Sequence, residues 1–294
     1  MVDLIFGGVA REAYYRAREI QRGLVCRVPT LLTPGTANAK TAKSAGEAET
    51  AILHLAPYTL AYPRRNVCPH STPGCRAGCL NTAGRGQIRG AVFQRAEPPE
   101  CRLMRLLQHP IHRARIARTR FFWDLRETFL ICLAGEIEKT RRRAVRRNVP
   151  AAVRLNGTAD LPWERFPLPG AESIFHAFPT VQFWDYTKSY RRAVAFAGDP
   201  AWPQNYHLTF SYSEKTTPRD LVQMIDKRVS VAVVFAGDLP EFWDSVRVID
   251  GDASDLRWRD PRGCIVGLRA KGKAKNDRSG FVIQDPYASI WERG

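Results

Sequence analysis

The spacing of hydrophobic positions changes character along the chain. From Val9 to Arg22, alanines, tyrosines and Ile20 are interspersed with charged helix formers, and Gly23 follows, which predicts a short amphipathic helix. Residues 29–46 hold Pro29, Pro34, Gly35 and Gly46 around a basic turn at 38–44 and read as a loop. Glu49 to Leu60 alternates like a strand with Ile52, Leu53 and Leu55 at its apolar centre, and Pro57 and Pro63 end it. The longest helical pattern covers residues 111–147, where Ile116, Phe122, Leu125, Phe129, Leu130, Leu133 and Ile137 fall near helical spacing. Cys132 within it reads as a small core residue.

After Pro150 the pattern becomes a series of short apolar runs, each ending in polar residues. Residues 151–155 lead into 156–160, 181–184 into 185–188, 206–210 into 211–214, 229–235 into 236–238, and 264–268 into 269–271. The spacing leaves room for helices at 170–177 and 217–228, so a parallel βα repeat is the predicted construction. Polar groups gathered at strand C-termini mark the functional face of such a sheet or barrel. No linker composition interrupts the series. The expected organisation is an N-terminal extension, 1–48, and a single α/β domain, 49–294.

Composition adds a globular chain of 294 residues, 44% hydrophobic, with a formal net charge of +16. An excess of that size exceeds what solubility requires and points to a polyanion, nucleic acid first. No apolar run approaches a membrane span, and residues 1–25 carry acids and arginines where a signal peptide needs an apolar stretch. A cytoplasmic protein is expected, without a membrane partner. The arginines cluster. Residues 61–96 contain no acid, and further basic groups lie at 113–120 and 141–147. Arg64, Arg65, Arg85, Arg89, Arg115, Arg118 and Arg120 are the candidate nucleic-acid contacts.

Three of seven cysteines, Cys68, Cys75 and Cys79, fall within twelve residues among turn-forming Pro and Gly, in a C-x6-C-x3-C run. Thiolates at this density repel one another unless oxidised to a disulfide or neutralised by a metal, and a reducing compartment favours the metal. Three thiols without a common role, or one disulfide and a spare, are the alternatives. Structural zinc usually closes with four protein ligands, with His70 the candidate fourth, whereas three thiolates on an iron–sulfur cluster leave one iron open. A [4Fe–4S] cluster is the leading expectation, and zinc is the alternative. Asp185 with Lys188 is a candidate acid–base pair, and Asp250, Asp252 and Asp255 are candidate Mg²⁺ ligands or turn residues. Trp184 and Tyr186 suit base stacking or core packing, and His207, inside an apolar strand, reads as a core histidine. No Walker loop, H-E-x-x-H or nucleophile elbow occurs.

With Glu49–Leu60 as strand one, a cysteine loop follows strand one and Asn156-Gly157-Thr158-Ala159-Asp160 follows strand two. That order resembles the radical S-adenosylmethionine enzymes, although the cysteine spacing departs from the usual C-x3-C-x2-C. The resemblance implies a partial parallel (β/α) barrel, TIM-like, with the cysteine loop holding [4Fe–4S]. It further implies that Asn156, Gly157 and Asp160, with Ser211, Ser213 and Glu214, bind S-adenosylmethionine.

A narrower likeness rests on longer motifs: Asn38-Ala39-Lys40, the cysteine run continuing through Leu80-Asn81-Thr82-Ala83-Gly84-Arg85-Gly86, Ala114–Arg120, Arg154–Thr158, Gln182–Lys188, Val248–Asp252 and Gly267–Gly272. Over roughly residues 31–284 these resemble the phage "gene product eighty-eight" family, which implies a phage or prophage origin, a bacterial host cytoplasm and no assigned activity. The expected function is a phage-encoded radical S-adenosylmethionine-like enzyme acting on nucleic acid or a nucleotide-like anionic substrate. The alternatives are a non-catalytic nucleic-acid-binding protein whose metal staples the 64–90 loop, and a metal-independent barrel enzyme that modifies nucleic acid by glycosyl transfer through Asp160 or Asp185.

Overall fold

The computed structural model describes residues 4–6, 9–24, 28, 30–37, 41–44, 46–83, 86 and 106–292. A small hairpin of β1 (Leu4–Phe6) and β2 (Val9–Ala10) precedes α1 (Arg11–Gly23). β3 (Leu32–Pro34) then pairs antiparallel with β4 (Glu49–Leu53), so the main sheet reaches back before residue 49. All five residues of β4 are buried, and the chain leaves the strand at His54 rather than continuing to Leu60.

After β4 come α2 (Pro73–Ala77), α3 (Pro110–Asp124) and α4 (Arg126–Arg146). The single helix expected over 111–147 is therefore two. Leu125, at φ −138° and ψ 59°, leaves the helical region, and the preceding Asp124 is drawn toward Tyr62 and Arg65. The remaining order is β5 (Ala151–Arg154), α5 (Ile174–Ala177), β6 (Gln182–Thr187), α6 (Tyr190–Gly198), β7 (Tyr206–Ser211), α7 (Pro218–Asp226), β8 (Val231–Phe235), β9 (Phe242–Trp243), β10 (Val246–Asp250), β11 (Ile265–Arg269) and β12 (Val282–Ile283).

The fold is α/β, built on a ten-stranded, mostly parallel sheet in the order β3-β4-β5-β6-β7-β8-β11-β10-β9, with β12 also pairing β8. The sheet is not closed. β4 to β8 are consecutive and parallel. Right-handed crossovers are the rule between parallel strands, and the same hand at each step places the connecting helices on one face. That face holds the main core, where Val153, Leu155, Phe183 and Leu208 pack with Phe129, Leu133 and Ile137 of α4. α6 and α7 continue it through Ala193, Leu221 and Met224 over Val231, Val233 and Ile265. On the opposite face Ala152 and Trp184 are covered by Leu256 and Trp258. β10 was not anticipated from sequence. It has no fully buried residue and alternates too weakly to stand out, yet it pairs parallel with β11. No described helix is long and apolar enough to cross a membrane.

A candidate thiolate centre at the strand C-termini

The cysteine loop is fastened over the C-terminal ends of β5 and β7. The Asp160 amide donates to the Val67 carbonyl at 2.8 Å, and Cys68 Sγ donates to the Thr158 carbonyl at 3.6 Å while accepting from the Tyr58 amide at 3.3 Å. Thr72 caps α2 by accepting from the Cys75 amide. Glu214 grips the same turn, its Oε1 accepting from the Gly74 amide and its Oε2 from the Thr72 hydroxyl, both at 2.7 Å. Gly74 has no room for a side chain, since a Cβ there would stand 2.2 Å from Ser279 Oγ and 2.6 Å from Phe281 Cβ. Cys75 packs against Ala270, Ala274, Phe281 and Val282. His70 is exposed on the loop.

The three thiols share one electrostatic neighbourhood. Burial, joined by the charges of Cys79, Asp160 and Cys75, pushes the Cys68 thiol up to about 12 against the pull of the Tyr58 amide. Burial also raises Cys79, where Arg115 and Lys188 pull the other way. As free thiols Cys68 and Cys79 are protonated and unreactive near neutrality, and only a ligated cation would deprotonate them. Lys188 Nζ donates to Ser211 Oγ at 2.6 Å and lies 5.2 Å from the Phe281 ring centroid. Arg115 Nη1 donates to the Asn81 carbonyl and side chain, and burial lowers Arg115 to about 10. Neither cation is ion-paired to a carboxylate among the described residues. Among those residues, no group of three or more His, Cys, Asp or Glu side chains that could hold a metal ion is formed, Cys68, Cys75 and Cys79 included.

The polar residues after β5 and β6 converge as expected but spend their hydrogen bonds within the protein. Asn156 Oδ1 accepts from the Leu161 amide and Trp163 Nε1, and its Nδ2 donates to the Leu161 carbonyl and Asp185. Gly157 is needed for close approach to β4, because a Cβ would stand 2.7 Å from both Ile52 Cγ2 and the Leu53 carbonyl. Asp160 accepts from Thr187 Oγ1, the Lys188 amide and Arg192 Nη1. Arg192 also forks onto Glu164 at 2.8 and 2.9 Å and donates to the Tyr206 hydroxyl at 3.0 Å.

Asp185 lies behind this network with no exposed surface. It accepts from the Asn156 amide at 2.7 Å and the Tyr206 hydroxyl at 3.0 Å, with Arg154 Nε 4.0 Å away. Burial raises its carboxyl to about 7 against the pull of Arg154 and those donors. Asp185 and Lys188 are thus not one acid–base pair; each has its own partners. Ser211 meets Lys188, Glu214 holds α2, and Ser213 closes the turn before α7 with Thr216 and Lys215. Asp250 and Asp252 are paired with Arg269 and Lys271, and Asp255 with Arg154.

The candidate nucleic-acid arginines divide. Arg64 is exposed, Arg65 pairs with Asp124 at 2.9 Å, and Arg120 lies over the Tyr62 ring. Arg115 is an internal tie to Asn81, and Arg118 donates from Nε to the Thr30 carbonyl at 2.7 Å. Arg85 and Arg89 lie outside the described residues, as does Asn38-Ala39-Lys40. The later basic run is largely structural, since Arg141 and Arg142 bind Glu138 while Arg143 and Arg147 bind Glu49 at the start of β4. Sequence reasoning missed Arg192 and His54; nothing in the sequence separates Arg192 from its neighbour Arg191. Burial, with the fields of Arg115, Arg154 and Arg118, lowers His54 to about 3. A hollow of about 320 Å³ lined by Phe196, Trp202, Tyr206 and Arg262 lies at the N-terminal end of β7, away from the cysteines.

No curated protein and no solved structure matches the chain. Residues 30–285 match the profile of the phage family described as Gene product 88, and the chain belongs to that family.

Proposed function

We propose that this protein carries a [4Fe–4S] cluster ligated by Cys68, Cys75 and Cys79 and works as an enzyme of the radical S-adenosylmethionine kind, with the sheet as its partial (β/α) barrel. The observation that carries the reading is the setting of Cys79: a half-buried thiol, in the field of a second one, flanked by Lys188 and Arg115 without carboxylate partners among the described residues. A thiolate cluster has net negative charge, and two such cations offset it. The thiolates of a cluster bind different irons, so they need not crowd around one ion as zinc ligands do. The order of strand, cysteine loop and consecutive parallel strands supports the enzyme reading. Such a cluster supplies one-electron chemistry and an iron open to an exogenous ligand, here S-adenosylmethionine. Asn156 and Asp160 position the loop behind it; Lys188, whose charge acts on Cys79, is bonded to Ser211.

The test is anaerobic purification with iron, sulfide and zinc analysis, followed by titration of S-adenosylmethionine by calorimetry. About four irons and four sulfides per chain, lost in Cys75→Ala, are expected. Stoichiometric zinc without sulfide would make the loop a staple, and no metal in reduced, anaerobic material would remove the reading. Cluster-loaded protein that takes up no S-adenosylmethionine at millimolar concentration would sink the enzyme assignment and leave the cluster.

A further inference from the structure

We propose that a ladder of arginines and aromatic rings beside the cysteine loop binds single-stranded nucleic acid. Tyr62 lies on the segment between β4 and Cys68, and Trp123 is in the last turn of α3. Cζ of Arg65 stands 5.1 Å from the Tyr62 ring centroid and 5.8 Å from that of Trp123. Arg120 approaches the Tyr62 ring at 5.6 Å, and Arg126 approaches Trp123 at 5.3 Å. Guanidinium and ring therefore alternate as Arg120, Tyr62, Arg65, Trp123, Arg126, with Arg65 and Arg126 exposed.

The charge is one-sided. Among the described residues Asp124 is the carboxylate bound to this row, through Arg65 and Tyr62, while Arg120 and Arg126 have none. Exposed Tyr58 repeats the motif under Arg76 at 4.8 Å, and its amide donates to Cys68 Sγ, which brings the row to the thiols. The guanidinium planes that flank the rings offer faces to unstacked bases while the same guanidiniums meet phosphate. A duplex keeps its base faces hidden, and an acidic peptide would use the charge but not the planes. Single-stranded nucleic acid uses both.

The experiment is fluorescence anisotropy of the full chain with a labelled oligothymidylate of about 20 nucleotides, a duplex of equal length, and polyglutamate and heparin as competitors. The same result is expected with or without bound metal, so it stands or falls apart from the cluster reading. Single strand should bind at least tenfold tighter than duplex, with log K falling against log salt at a slope of about −2 for three neutralised phosphates. The double variant Arg65→Ala/Arg126→Ala should weaken single-strand binding about 10- to 100-fold, with circular dichroism confirming its fold. Arg65→Lys/Arg126→Lys should keep the salt slope and lose the preference over duplex, because lysine carries the charge without the plane. Equal binding to duplex, displacement by polyglutamate as readily as by oligothymidylate, an unaffected alanine variant or no binding at 50 mM salt would each overturn the proposal.

Discussion

Asp185, His54 and His207 make the stability of this protein depend on pH in opposite directions. Burial holds both histidines neutral, His54 at about 3 and His207 at about 4, against an ordinary 6.5. Folding therefore excludes their charged forms; their stabilisation is fully present above pH 6.5 and is lost as pH falls toward 3 to 4. Asp185 runs the other way. Its folded carboxyl, raised from 3.8 to about 7, favours the protonated form, so its contribution is present below pH 3.8 and is lost as pH rises through 7. Two groups outweigh one, and net stability should fall on acidification from pH 6.5 to 4.5. Asp185→Asn removes the opposing group and should fall more steeply over that window than the wild type, as read by urea unfolding at several pH values. Parallel profiles would show that Asp185 is ionised throughout, served by its three hydrogen-bond donors and Arg154.

At the scale of elements, the cysteine helix α2 is too short to stand alone, and the Glu214 carboxylate is what fixes its first turn. Two charge-assisted hydrogen bonds of about 1.5–3 kcal/mol between them imply that Glu214→Ala opens the loop about 10- to 100-fold more often. The labelling rate of Cys75 and Cys79 by a thiol reagent should rise by that factor in metal-free protein, and the melting temperature should fall by a few degrees. An unchanged rate would mean that packing of Cys75 on Ala274 and Phe281 holds the loop by itself. Much of this architecture was legible beforehand. Strands β5 to β8 and β11 are buried runs bounded by polar residues. The break at Leu125 was not, because a distant tyrosine and arginine draw Asp124 aside. Nor was the bond between Asp160 and Arg192, whose partners are 32 residues apart and meet only once β5 and β6 are paired. The polar residues after strand two were read as ligand contacts since sequence shows a side chain's capacity to bond and not the neighbour that uses it.

For the whole molecule the net charge of +16 sets the balance between attraction and repulsion. Exposed pairs such as Arg65–Asp124, Arg259–Glu47 and Arg269–Asp250 each contribute about 0.2–1 kcal/mol and are weakened by salt. Pairs with a buried carboxylate, such as those on Asp160 and Glu164, are screened far less. Gathering sixteen net charges onto a body of radius about 25 Å costs on the order of 10 kcal/mol at about 20 mM salt and roughly half that at about 200 mM. The unfolded chain spreads the same charge over a larger volume and is relieved less, so a few kcal/mol of the difference stabilises the fold. That gain exceeds the loss from the exposed pairs. The melting temperature of nucleic-acid-free protein should therefore rise by about 2–6 °C as sodium chloride goes from about 20 to 200 mM. A falling melting temperature would show that the exposed pairs form a network stronger than their separation suggests. A rise only in preparations carrying nucleic acid would show that the bound polyanion, rather than the simple salt, supplies the relief.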